Sequence, residues 1–193
     1  MVAAAQDTGG DAAAGPFYDA AKATFTTLID ATHTVSSLFQ FVNVPMAVWI
    51  DERGRLVRPP EPAWTSTKTN EYGGKPLATE GEQYVAALRD WVINGAESAY
   101  VLSDAAFAAR VKPRDANDME ADASFKLAVW FQQTGDAALA AKHFARAQSL
   151  CPGNWNYHRQ EWSFAPEASK RWLEKFHQTE GPYYPRLRLD TSE

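Results

Sequence analysis

The chain has 193 residues, 45% hydrophobic and 22% charged, an ordinary balance for a globular protein with room for one sizeable domain or two small ones. A formal net charge of −5, with no run of Lys or Arg, excludes a nucleic-acid footprint. No stretch approaches the ~20 apolar residues that span a bilayer, and a single cysteine rules out an internal disulfide framework.

Met1-Val2-Ala3-Ala4-Ala5-Gln6-Asp7 lacks a basic region and reads as no signal peptide, so as it stands the chain is expected to be cytoplasmic. Residues 2–6 read as a short buried strand, ended by the turn cluster Asp7-Thr8-Gly9-Gly10. The Ala-rich residues 11–22 suit a helix, with a break or late start expected at Gly15-Pro16. Residues 24–29 are β-branched and aromatic, which predicts a second strand ending at Asp30. Residues 34–41 predict another helix, with Val35, Leu38, Phe39 and Val42 at helical spacing.

Next comes Asn43-Val44-Pro45-Met46-Ala47-Val48-Trp49-Ile50-Asp51-Glu52-Arg53-Gly54-Arg55-Leu56-Val57. Two apolar arms joined by the polar residues 51–54 predict a β-hairpin. A proline can open such a strand where its missing N–H is not needed by the ladder.

This run resembles the cis-proline hairpin of thioredoxin-like proteins, in particular the TlpA/ResA-like branch with its pattern V-P-T-x-x-x-I-D-x-x-G-x-I-V. Met46 stands where that pattern has Thr. The order strand, helix, strand, helix, Pro, hairpin over residues 1–62 is similar to the second half of a TlpA-like domain. The resemblance implies a partial thioredoxin-like α/β sandwich. It also implies that the backbone at Val44, before Pro45, pairs with bound peptide.

Oxidoreductases of that family carry a Cys-x-x-Cys at a helix N-terminus, where a lowered pKa supplies the thiolate. Here the only cysteine is Cys151, far downstream and beside Pro152. Two explanations stay open: a divergent version without the dithiol, or a redox half encoded ahead of Met1. The first implies a protein- or peptide-binding module. The second implies the C-terminal portion of a thiol–disulfide oxidoreductase. Strand exchange within a homo-oligomer is a third way to complete the sheet.

Pro59-Pro60-Glu61-Pro62 is stiff and residues 65–74 are polar and turn-rich, so residues 63–81 read as a linker. Residues 82–180 read as a helical domain. Tyr84, Leu88, Trp91 and Val92 share a face before Gly95, Ser103 is an N-cap, and a terminal helix is expected near 166–177. Leu127, Ala128, Phe131, the Gly135-Asp136 turn, Ala140, Phe144, Ala147 and Pro152 resemble one tetratricopeptide unit over residues 121–154, with Ser124 in place of a bulky aromatic. The fold class expected is therefore α/β plus α: the partial thioredoxin-like domain, then helices with one tetratricopeptide-like pair. Residues 181–193 read as a tail, with Tyr183-Tyr184-Pro185 expected to be extended and docked on the helices.

The cluster Asn154-Trp155-Asn156-Tyr157-His158-Arg159-Gln160-Glu161-Trp162 is the densest in polar aromatics. On a helix, Trp155, Arg159 and Trp162 share one face, where Arg159 is placed to stack on the indoles or fork a carboxylate. The bland alternative is that the aromatics cap the apolar end of the helix pair. Candidate binding residues are thus Val44, Pro45, Trp155, His158, Arg159 and Trp162, with a peptide or protein partner. His33, His143, His158 and His177 show no metal-ligand spacing, so neither metal nor cofactor is expected, and His33, just past the strand end at Asp30, reads as a helix-start residue rather than a base.

Overall fold

The structure, a computed structural model, describes residues 1–189; residues 190–193 of the expected tail lie outside the described residues. The chain is mixed α/β, with strands among the described residues paired only two by two, and it divides into two compact units, each assembled from separate stretches of chain. No helix among the described residues is long and apolar enough to cross a membrane.

The first unit combines Met1–Val42 with Arg114–Ala168. Strand β1 (Val2–Ala5) runs parallel to β2 (Thr26–Ile29), Val2 opposite Thr26 and Ala5 opposite Ile29, with helix α1 (Asp11–Ala21) as the crossover. A crossover is what two parallel strands require. The expected break at Gly15-Pro16 is absent: Pro16 sits inside a continuous helix. The Tyr18 hydroxyl ties that helix to both strands, donating to the carbonyls of Ala3 (3.2 Å) and Leu28 (3.1 Å). Helix α2 (Thr34–Phe39) is shorter than its apolar spacing suggests, because Gln40 turns into the left-handed region at φ 55°.

Helices α3 (Gly81–Asn94) and α4 (Asp104–Arg110) belong to the second unit, whereas α5 (Ala116–Thr134) and α6 (Ala137–Leu150) pair in the first. Asp115 opens α5 with a full capping box to Asp118, and Asp136 caps α6 by accepting from the Leu139 N–H at 3.0 Å. Ala121, Ala128, Ala140 and Ala147 are small enough for the helices to approach, and Phe125, Phe144 and Tyr157 fill the space between. Helix α7 (Trp155–Ser163) closes the unit: the Trp155 N–H donates to the Val42 carbonyl at 2.7 Å and the Asn156 amide to that of Phe41 at 2.8 Å.

The second unit combines Asn43–Pro113 with the chain from Ser169 on. The predicted hairpin is β3 (Met46–Ile50) against β4 (Leu56–Pro62), entered through a cis Val44–Pro45 bond. Asp51 organises its turn by accepting from the N–H groups of Arg55 (2.9 Å) and Arg53 (3.0 Å), the Arg55 bond first in holding its carboxyl below the usual range. The Pro59–Pro62 stretch is part of β4 rather than a boundary, with Pro59, Glu61 and Pro62 buried.

The segment expected to be a linker carries a further hairpin, β5 (Thr67–Tyr72) and β6 (Lys75–Glu80). Its turn is Gly73-Gly74 at φ 58° and 82°, the doubly positive geometry that fits the twist of a two-residue hairpin loop. Helix α8 (Ala168–Gln178) follows near the end of the chain. The core of this unit gathers Trp49, Val57, Tyr84 and Ala87; Trp91 stacks on Trp49 at 4.9 Å, and the Trp49 indole donates to the Tyr84 hydroxyl at 3.0 Å.

Candidate functional site

The hairpin positions the Val44–Pro45 site. Asn43, fully buried immediately before it, uses its side chain in two directions. Its Oδ1 accepts from the Val44 N–H at 2.9 Å, and its Nδ2 donates to the Tyr183 carbonyl at 2.9 Å. The Val44 carbonyl accepts from the Tyr184 hydroxyl at 3.0 Å, and the Pro45 carbonyl from the Ala63 N–H at 3.2 Å, where β3 joins β4. Both backbone groups of Val44 are therefore engaged, one by its neighbour's side chain and one by residue 184.

Residues 181–189 lie outside helix and strand and are held along their length. The Tyr184 ring meets Trp64 edge-on at 5.2 Å. The Tyr183 hydroxyl accepts from the Trp172 indole at 2.8 Å, and Trp172 stacks on Phe176 at 5.0 Å. Lys75 fixes the end of α8, donating to the carbonyls of Phe176 (2.7 Å) and Thr179 (2.6 Å). Leu187 and Leu189 pack on the Trp49 core.

Arg58 anchors the far end. Its fully buried guanidinium forks Glu61 through Nε (2.9 Å) and Nη2 (2.8 Å), donates from Nη1 to the Tyr100 carbonyl at 2.7 Å, and donates from Nη2 to the Arg188 carbonyl. Arg110 reaches the same Arg188 carbonyl at 3.0 Å. The planar fork suits this double duty, satisfying a carboxylate on one edge and carbonyls on the others.

The other candidate residues belong to the first unit. Helix α7 brings Trp155, His158 and Trp162 together, with ring centroids 5.6–6.5 Å apart and all three buried. Arg159 is exposed while both indoles are buried, so the shared face expected from spacing alone separates by solvent access.

Sequence reasoning put His33 at a helix start, where it stands as the residue before α2, but did not join it to Thr8 at the carboxyl ends of the two parallel strands, where α/β sheets present ligand-binding positions. Thr8 follows β1; Asp30 and His33 follow β2. The Thr8 hydroxyl and His33 Nε2 are 3.0 Å apart, and Asp30 caps α2 by accepting from Thr34 (2.8 Å) and Val35 (2.7 Å). Burial pushes the His33 imidazole below its ordinary pKa, against the charges of Asp30 and Asp7 and the Gln160 side chain. Thr8 and His33 are both buried, so the pair ties the strand ends together instead of presenting a nucleophile. The readable signal was a His just past a strand-ending Asp.

Cys151 places its Sγ 3.4 Å from Asp118 Oδ1. Among the described residues no three of His, Cys, Asp and Glu are grouped to hold a metal ion. Comparison with protein-family models, with curated proteins and with solved structures gives no match.

Proposed function

We propose that this chain is a thioredoxin-like interaction module that works without a dithiol and takes an extended peptide or protein segment at Val44–Pro45. The observation that carries the reading is the Tyr184 hydroxyl on the Val44 carbonyl: the position to which the resemblance assigns peptide pairing is already engaged by a segment of polypeptide. Two further features support it. Asn43 and Arg58 are fully buried, and both donate to main-chain carbonyls of that segment. Recognition through the main chain is the mode by which extended peptides gain affinity with little demand on sequence. The 193 residues also hold one cysteine, so thiol–disulfide exchange within this chain has no second sulfur.

In the same reading, α5 and α6 form a tetratricopeptide-like pair; their Gly135 turn and small facing alanines support that comparison. The Trp155, His158 and Trp162 rings then serve as packing for the pair's end rather than as a second binding site.

Val44→Asp tests the proposal. A carboxylate beside the accepting carbonyl disfavours an incoming chain electrostatically and sterically. Partner capture should drop at least tenfold with the far-ultraviolet circular dichroism unchanged. Capture that is unaltered by Val44→Asp sinks the proposal.

A further inference from the structure

We infer that residues 181–189 are a built-in occupant of a peptide cradle, and that the external partner is an extended Tyr-Tyr-Pro-x-Leu-x-Leu segment of another protein that displaces them. This deepens the binding reading above and rests on it.

The cradle reads three different things. It reads main chain: Asn43 Nδ2 holds the Tyr183 carbonyl, while Arg58 and Arg110 hold that of Arg188. Two hydroxyls are read as well, Tyr183 by the Trp172 indole N–H and Tyr184 by the Val44 carbonyl. Finally it takes apolar bulk at alternate positions, since Leu187 and Leu189 pack on the Trp49 core. The side chains of Arg186 and Arg188, between and beside those leucines, are exposed, so their identity is free. None of these contacts depends on the occupant belonging to the same chain.

The occupant also leaves something unmade. The Trp64 indole N–H is buried beneath Tyr184 and finds no acceptor among the described residues. A competing segment that presents an acceptor there gains a hydrogen bond the built-in segment forgoes. The built-in segment has the advantage of tethering, an effective concentration of about millimolar for a short linker. Loosening it must therefore raise the apparent affinity for a free peptide.

The test uses a fluorescent nonapeptide with the sequence of residues 181–189, titrated by anisotropy into the full chain and two variants. Tyr184→Phe removes only the hydroxyl on Val44. The double variant Tyr183→Ala/Tyr184→Ala removes both anchors. Expected is apparent affinity rising from wild type through Tyr184→Phe to the double variant, by at least tenfold overall. Should the double variant fold poorly, a rise for Tyr184→Phe alone, at least threefold, is the required result. Equal measurable affinity for wild type and Tyr184→Phe overturns the built-in occupant while leaving peptide binding intact. No affinity in any chain overturns both. A concentration-dependent wild-type dimer that the nonapeptide dissolves overturns the partner assignment in favour of segment exchange between copies.

Discussion

Removing the Arg58 guanidinium while leaving Glu61 should damage the second unit far more than removing both. The Arg58 side chain is 0% exposed and that of Glu61 6%, so neither charge has water to fall back on. In Arg58→Met the carboxylate stays buried without its fork, which costs about 3–5 kcal/mol by comparison with other buried pairs. The Tyr100 carbonyl loses its donor as well, at about 1 kcal/mol, while that of Arg188 keeps Arg110. Against a total stability of about 5–15 kcal/mol, that loss alone brings the unit near unfolding. In Arg58→Met/Glu61→Leu no charge is stranded, and only the loss at the Tyr100 carbonyl remains, about 1 kcal/mol. The assay is urea-dependent hydrogen exchange on peptides covering β4, which reads this unit without assuming that both unfold together. The expected order is wild type, double variant, single variant. A single variant within about 1 kcal/mol of wild type, or a double variant as costly as the single, refutes the stranded-charge reasoning.

Burial lowers the pKa of His33 from its ordinary 6.5, so between that value and the lower folded one the unfolded chain binds more protons than the folded chain. The stabilisation from neutral His33 is thus complete above about pH 6.5 and lost as pH falls through it, by at most about 1.4 kcal/mol per pH unit. Thermal melts from pH 7.5 to 5.5 should show a shallower decline for His33→Asn than for wild type, and equal slopes would contradict this. Phe125 is 2% exposed and touches the rings of His33, Phe144 and Tyr157, so Phe125→Ala should cost about 3–5 kcal/mol in chemical denaturation; a loss below about 1 kcal/mol would mean the helix pair does not depend on this ring. At Gly81, the first residue of α3 and directly after β6, an added Cβ would run into the Ser66 backbone. Gly81→Ala should strip exchange protection from the β5–β6 hairpin, and full protection in that variant would show that the approach is not tight.

Local chemistry was legible where it was strong. Gly95 past the end of α3, Ser103 before α4 and the Gly135-Asp136 turn each carry a capping or turn signal within a few residues, and the helices stand where those signals put them. The β3–β4 hairpin followed in the same way from residues 51–54. The β5–β6 hairpin was missed because every residue of β5 is exposed and the alternating inward face of β6 carries Lys75, Leu77 and Thr79, so no apolar alternation announced it. Only the Gly73-Gly74 pair did. Pro59 to Pro62 misled for a related reason: three prolines read as a stiff spacer, yet they continue β4 beside the buried Arg58–Glu61 pair.

For the site, Val44 and Pro45 were named from the hairpin motif, and Tyr183-Tyr184-Pro185 read as an extended tail docking on helices, but their hydrogen bonds to Asn43 and Val44 were not legible. Their partners lie about 140 positions away in the chain, beyond the reach of any local pattern. Spacing in residues 155–162 placed Trp155, Arg159 and Trp162 on one helix without revealing that the indoles are buried and the guanidinium exposed.

The most direct measurement is an NMR titration of the isotope-labelled Tyr184→Phe chain with the residue 181–189 peptide. The account predicts shift changes concentrated at the amides of Asn43, Val44, Met46 and Ala63, abolished when Val44→Asp is added. Binding with shifts confined to α7, or an unperturbed spectrum at saturating peptide, would contradict it.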